Sequence, residues 1–373
     1  MLRMKILYRY LLGGLLLNLA MTLAVFTFIL LLGNTFKDLV ALLSNQSVGP
    51  LTIAHFFLLM LPYVLSFSMP MALMAATLLL LGRFSADNEL TAARACGISF
   101  TQLILPILGV AALFSFISLY VNSSLAPRTK YLFNQAFVDI AFTHPIALLE
   151  EGQYLNFGDT RIFIAKRDIR HHTLKNVRVM RMQNEEMIQE IHAERGVITS
   201  DRKQLKARIM LYNAVIDQRD PSDPESLEKR KWGVTVAEYP LELDMTTLVD
   251  PRRAVKEVHH YTSAELWEQA EELKTKSIHP TPLMVEIQKR IALSLACIAF
   301  VMIALPLGIR VQRRETSIGV LISLVLAVLY YFLIVFAESF RKNPHIYPEF
   351  IVWVPNLVFE SVGLYLLWKQ HRI

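Results

Sequence analysis

Long apolar blocks lie toward both ends of the chain, and between them runs a middle stretch in which apolar and polar residues alternate. The blocks cover about 6–33, 51–82, 99–121, 287–309, 317–340 and 350–368. Each approaches or exceeds the roughly 20 residues that a helix needs to cross a hydrocarbon core. The second carries Pro62 and Pro70, which leaves one bent helix or two broken pieces open, because proline frees backbone groups that neighbours must satisfy. The first is preceded by Arg3, Lys5 and Arg9 and is too long for the apolar part of a cleavable signal, so a retained signal-anchor helix is expected.

The middle stretch, 122–286, has another period. Alternation at 161–165, 177–182, 187–193, 205–216 and 234–243 predicts strands with one apolar face. Gly158-Asp159, Thr199-Ser200-Asp201 and Asp220-Pro221-Ser222-Asp223-Pro224 supply turns between them. Several short strands of this kind predict a sandwich or jelly roll. A polar helix follows, with Ser263 as its expected N-cap and Glu265 to Lys274 as its body. The fold class is thus an α-helical membrane protein with six transmembrane helices, three on either side of an inserted all-β, jelly-roll-like domain. Its expected divisions are 1–121, 122–286 and 287–373.

Composition agrees. Hydrophobic residues make up 54% and charged residues 19%, too apolar a mix for a soluble domain of this size. Charge matters by its distribution. One set of helix ends carries Arg3, Lys5, Arg9, Arg83, Arg94, Arg310, Arg313, Arg314, Lys369 and Arg372; the short loops opposite carry Lys37, Arg341 and Lys342. Ten cations against three place both termini in the cytoplasm and the β domain outside. No basic stripe with interleaved aromatics suggests nucleic acid. Cys96 and Cys297 are far apart and outside any CxxC pair, so no disulfide is expected.

Catalytic motifs are missing. Without a Gly-Lys dipeptide there is no phosphate loop, so any ATP hydrolysis must belong to another subunit, and neither HExxH nor GxSxG occurs. The pairs His171-His172 and His259-His260 would diverge on a strand and read as surface histidines rather than metal ligands. No cofactor is expected. Tyr330, Tyr331, Trp353 and Trp368 suit interfacial belts or lipid packing.

The most informative short segment is the loop 83–97. Ser85 or Asp87 can cap a helix there, Ala92, Ala93 and Ala95 favour one, and Gly97 can end it. Asp87 and Glu89 fall in the first turn, where the helix dipole favours carboxylates. A helix of about 85–97 on the membrane surface is either a coupling helix for a nucleotide-binding subunit or a solvated connector. Composition leaves both open.

Leu61-Pro62, Ser68-Met69-Pro70, the run Leu81 to Leu90 and Ala93-Arg94-Ala95-Cys96-Gly97-Ile98-Ser99 resemble the LptF/LptG permease family. So do Glu286-Ile287-Gln288-Lys289-Arg290-Ile291-Ala292 and Leu305-Pro306-Leu307-Gly308. The resemblance covers nearly the whole chain. It implies an inner-membrane permease subunit that extracts lipopolysaccharide, pairs with a paralogous six-span permease and binds an LptB-type ATPase dimer. It further implies a periplasmic jelly roll that passes lipid to LptC-type and bridge proteins. On that reading Ser85, Asp87, Glu89, Arg94 and Gly97 belong to the ATPase-coupling segment.

A phosphorylated lipid needs cations near the outer helix ends, where Lys37, Arg128, Lys130, Lys289, Arg290, Arg341 and Lys342 fall. Lys37, Arg128, Lys289, Arg290 and Arg341 are the candidate lipid contacts, with Lys37 and Arg290 foremost. The alternative is that they snorkel to ordinary head groups. Glu338 is expected to pair with Arg341 or Lys342. Glu360, mid-span, is expected to hydrogen-bond a neighbouring helix, Asn18 being one partner, with a proton relay as the alternative. Two competing classes remain: a membrane-anchored sensor or mechanotransmission protein with an outer ligand domain, and a proton-coupled transporter resting on Glu360. The latter expects inverted repeats, and none is visible.

Overall fold

The computed structural model describes residues 2–43, 50–143, 151–157, 159–168, 173–183, 186–201, 206–218, 231–244, 256–276, 278–310, 316–341 and 343–371. The expectations at Gly158, His171-His172, Asp220 to Pro224, Arg313, Arg314, Lys342 and Arg372 lie outside these residues. The side chains of Arg3, Lys5 and Lys37 do so too.

The helices are α1 (Leu2–Leu43), α2 (Pro50–Ala86), α3 (Glu89–Ala95), α4 (Phe100–Tyr120), α5 (Ala126–Thr143), α6 (Ser263–Thr275), α7 (Thr281–Arg310), α8 (Thr316–Ser339), α9 (Pro348–Ile351) and α10 (Val354–His371). Among the described residues six helical stretches are long and apolar enough to cross a membrane: Ile6–Asn34, Leu51–Ala86, Thr101–Asp139, Thr281–Arg310, Gly319–Ser339 and Pro348–Gln370. The chain forms two compact units. One comprises Met1–Phe36, Phe57–Lys130 and Glu257–Ile373; the other comprises Lys37–Phe56 and Tyr131–Lys256.

These divisions fall later and earlier than 121/122 and 286/287, for physical reasons. The third span does not stop at 121, because a π-turn (Val121–Leu125) joins α4 to α5. Asn122 closes that turn by donating to the Ser118 carbonyl at 3.0 Å and to Ser294 Oγ at 3.2 Å. Pro127 sits just behind the turn, where a missing N–H is tolerated. At the other boundary, Leu266 and Ala270 of α6 pack on Leu283 and Ile287 of α7, so this return segment belongs to the helical unit. The cap of α6 is Thr262, one residue before the expected Ser263. Its hydroxyl accepts from Glu265 N–H at 3.3 Å while the Glu265 carboxylate accepts from Thr262 N–H at 2.7 Å, a reciprocal capping box.

Within the helical unit α2 and α7 are central: 83% and 72% of their apolar windows are buried, against 28–33% for the other spans. The two prolines leave α2 a single helix. Side chains serve the carbonyls around them: Ser66 Oγ donates to Pro62 O at 3.2 Å, Tyr331 OH to Phe67 O at 2.8 Å, and Thr22 Oγ1 to Ala72 O at 3.0 Å. Small residues let backbones approach. A Cβ on Gly308 would lie 2.8 Å from Leu81 Cβ, and one on Gly363 of α10 would lie 2.5 Å from the Met302 carbonyl oxygen of α7. Gly363→Ala is therefore expected to cost about 1–3 kcal/mol of overpacking and to lower the thermal midpoint in detergent. Gly109→Ala, whose Cβ meets nothing within 4 Å, should leave the midpoint unchanged or raised.

Among the described residues the second unit holds six antiparallel strands: β1 (Tyr154–Phe157), β2 (Thr160–Asp168), β3 (Thr173–Gln183), β4 (Glu186–Asp201), β5 (Lys206–Gln218) and β6 (Lys231–Asp244). They pair in sequence order, a meander; a Greek-key crossover of the jelly-roll kind is not among the described pairings. Thr199-Ser200-Asp201, expected as a turn, instead ends β4. Ser200 and Asp201 still have register partners on β5, Ala207 and Lys206, so the strand runs through the expected turn. The core joins Ile162, Ile164, Val177, Val179, Ile191, Ala193, Ile209, Leu211 and Leu241 with Val138 of α5.

One row across the sheet breaks the alternation. Buried positions change parity between Leu174 and Val177, between Ala193 and Gly196, and between Leu211 and Ala214. The residues between are Asn176 and Asn213, both left-handed (φ 51° and 53°), with Glu194 lying between them in the register. Asn tolerates that conformation better than other side-chain-bearing residues. The Asn213 side chain donates to Glu194 at 3.4 Å. Three neighbouring strands thus change their inward set at one line, and the residues to either side keep apolar contacts on the core face.

Candidate functional site

Two places in the helical unit gather functional side chains. The first is the end at which α2 and α7 carry Arg83 and Arg310. Helix α2 continues to Ala86, so Ser85 and Asp87 do not cap α3 as expected. Ser85 lies in the last turn of α2 and its hydroxyl donates to the Ile309 carbonyl at 2.9 Å, joining α2 to α7. Asp87 follows in the turn, its carboxylate 3.6 Å from Arg83 Nε in an exposed pair worth little for stability. The chain then reverses through Asn88, left-handed at φ 58°, which makes no side-chain cap bond. No extended residue is left to serve as an N-cap.

Helix α3 is short but anchored. Phe84 before the turn and Leu90 after it are buried in the core of the bundle. Glu89 opens α3 and accepts from the Tyr10 hydroxyl of α1 at 3.1 Å, while the Tyr10 ring lies 5.6 Å from that of Phe84. Arg94 belongs to the last turn, and Thr91, Ala92, Ala95 and Cys96 are exposed around it. Gly97 takes φ 82° and donates its N–H to Arg94 O at 3.0 Å, a termination that favours glycine. Ser99 then caps α4 in a capping box with Gln102. The segment is therefore a small helix with one face fixed to α1, α2 and the core and the other face on display.

The second place is the opposite end of α7, where a cleft of about 290 Å³ is lined by Lys130, His259, Glu286, Lys289, Arg290, Glu338 and Arg341 among others. Lys289 Nζ lies 2.7 Å from Glu286 and 2.6 Å from Glu338, so one ammonium bridges α7 and α8. Arg290 is only 4% exposed. Its Nε reaches Glu286 at 3.1 Å, Nη1 donates to Tyr261 O at 2.8 Å and to Ser263 Oγ at 3.4 Å, and Nη2 donates to His259 O at 3.2 Å. The guanidinium thereby fastens the return segment onto α7. Lys130 Nζ stands 3.5 Å from the centre of the Tyr63 ring, a cation–π contact. Burial, then the charge of Lys130, hold the His259 imidazole below its ordinary pKa, so it adds no charge at neutral pH. Among the described residues four cations against two carboxylates leave the cleft's lining net positive.

Of the five expected lipid contacts, the structure brings together Lys289, Arg290 and Arg341. Arg341 is exposed at the cleft's rim, while Arg128 is exposed in the first turn of α5 and does not line the cleft. Lys37 lies within α1. Glu338 pairs with Lys289, brought to it by the α7–α8 packing, and no pair with Arg341 occurs among the described residues; Lys342, the other expected partner, lies outside them. Glu286 and His259 join this end without having been expected there. The spacing Glu286-x-x-Lys289-Arg290, which puts one carboxylate beside two cations on a helix face, is the signal in the sequence that points to the first of them. Glu360 makes no side-chain hydrogen bond among the described residues, to Asn18 or to any other. No group of three His, Cys, Asp or Glu side chains that could hold a metal occurs among the described residues.

A family model described as lipopolysaccharide export system permease LptF/LptG matches residues 9–369. A comparison with curated proteins gives no match.

Proposed function

The chain belongs to the lipopolysaccharide export permease family LptF/LptG, and from this premise we propose that it is one permease of an ATP-driven complex that lifts lipopolysaccharide out of the inner membrane. It is a multi-pass inner-membrane protein of a transport family. In the proposed orientation the Arg83 end faces the cytoplasm and the β domain the periplasm, as the distribution of Lys and Arg favours.

The observation that carries the coupling part is the attachment of α3: Leu90 in the core, Glu89 on Tyr10 and Ser85 on Ile309. A push on the displayed face of α3 would reach α1, α2 and α7 together. The ATPase is a separate subunit, an LptB-type dimer, and a paralogous permease completes the cavity. The cleft at Lys289 and Arg341 receives the phosphates of the lipid. There Arg341 offers a charge at the rim, and Lys289 can exchange a carboxylate for phosphate. The lipid then passes along the β domain to LptC-type and bridge proteins.

The test is reconstitution of the chain with its permease and ATPase partners in proteoliposomes loaded with lipopolysaccharide. ATP-dependent transfer of the glycolipid to a soluble acceptor supports the proposal. Hydrolysis without any transfer, under conditions where the partners co-purify, argues for the sensor or mechanotransmission class instead.

A further inference from the structure

We propose that a second lipid seat lies on the helical unit at the Arg83 end, in a cleft of about 260 Å³ between α1 and α2, and that it takes the head group of an anionic phospholipid. The leaflet in which that phospholipid resides follows from the orientation proposed above; the seat itself does not depend on lipopolysaccharide transport.

Arg9, Gly13 and Leu17 follow one another at four-residue spacing, so they form one row along α1. Arg83 of α2 joins that row from across the cleft, with Tyr10 beside it and Leu80 below. Among the described residues no Asp or Glu lines the cleft, so its lining is cationic, while Asp87 stands 3.6 Å from Arg83 and Glu89 accepts from Tyr10 just outside it. A phosphate accepts charge-assisted hydrogen bonds from such a pair of guanidiniums.

The apolar half of the cleft fits the rest of a lipid. A Cβ on Gly13 would meet nothing within 4 Å, whereas one on Gly14 would lie 3.0 Å from Leu80 Cδ1. The space above Gly13 is therefore open, and its floor is closed. Arg9 and Leu17 are about 12 Å apart along the helix axis, which sets Leu17 beside the upper acyl chain of a lipid whose phosphate is held at Arg9. Leu17 and Met21 are 65% and 62% exposed and carry the apolar track onward. Two residues of the seat also hold the segment around α3: Arg83 pairs with Asp87, and Tyr10 donates to Glu89. Occupancy of the seat is therefore expected to alter the ATPase rate of the complex.

The test uses the full complex in nanodiscs of phosphatidylethanolamine with a minor share of phosphatidylglycerol, followed by native mass spectrometry of retained lipids. Wild type should keep phosphatidylglycerol selectively. Gly13→Leu, which fills the open space, and Arg9→Gln, which removes one cation, should each lower that retention about tenfold, a difference of 1.4 kcal/mol. Equal retention by Gly13→Leu and wild type would mean adsorption at the general surface and would overturn the proposal. Absence of selectivity in wild type would do the same, as would lipopolysaccharide, told apart by mass, being the species the variants lose. Should Gly13→Leu fail to assemble, Arg9→Gln decides alone, its side chain being exposed. Glycolipid release is measured on the same discs. If wild type releases none, the transport reading fails while the outcome of the retention measurement stands.

Discussion

Glu89→Lys is expected to reduce ATP-driven lipopolysaccharide release by about tenfold or more while leaving the protein's thermal midpoint within experimental error of wild type. The two halves of that expectation come from different properties of one residue. Glu89 stands at the first position of α3, partly exposed, and accepts the 3.1 Å contact from the Tyr10 hydroxyl. A surface substitution of this kind moves folding stability by a few tenths of a kcal/mol. Docking is another matter, because a lysine at the opening of the displayed helix opposes the helix dipole and reverses the charge offered to the ATPase. Like charges brought together at an interface cost several kcal/mol. Tyr10→Phe separates the contributions: it removes the internal bond, keeps the carboxylate, and should lower release by a factor of only about 2–5, the worth of one exposed hydrogen bond. Release and hydrolysis measured in parallel check this, with the ATPase still co-purifying or not as a third readout. Wild-type release by Glu89→Lys would remove α3 from the coupling path.

Much of the architecture is legible in the sequence because hydropathy is a local property. The six spans follow from block length alone, and the match of a family model to residues 9–369 agrees with the resemblance carried by the motifs on either side of the β domain. What escapes depends on partners distant in sequence. Apolar character thins at 121, which suggests an end to the third span, whereas the helix continues as Asn122 finds Ser294, 172 residues on. Strand edges are hard to place where the alternation itself breaks. At Asn176, Glu194 and Asn213 the inward positions change parity; the period-two runs 177–182 and 187–193 begin or end at that line, whereas 205–216 passes through it. The same limit applies to the candidate sites. The residue type of Ser85 suits a helix cap; its actual acceptor, Ile309 O, is 224 residues away.

Arg290 and Arg341 should respond in opposite ways to the same truncation, and that contrast has the largest expected effect on stability. By sequence both are cations near an outer helix end, yet their surroundings differ. Arg290 is 4% exposed, and its donors go to Glu286, His259 O, Tyr261 O and Ser263. Arg290→Ala leaves those acceptors short and Glu286 with Lys289 alone, so it is expected to destabilise the helical unit by about 3–5 kcal/mol. Arg290→Lys should recover little, since an ammonium on a shorter stem cannot span oxygens that a planar fork reaches together. Arg341 is exposed on the rim of the cleft, so Arg341→Ala should leave the thermal midpoint unchanged. Its expected effect is on the ligand: loss of one phosphate-facing cation weakens glycolipid binding by roughly 1–2 kcal/mol, about five- to thirtyfold. Thermal unfolding in detergent and retention of lipopolysaccharide on the purified complex measure the two quantities separately. A stable Arg290→Ala with weakened lipid binding would reverse the assignment, making the buried guanidinium the ligand group and the rim arginine incidental.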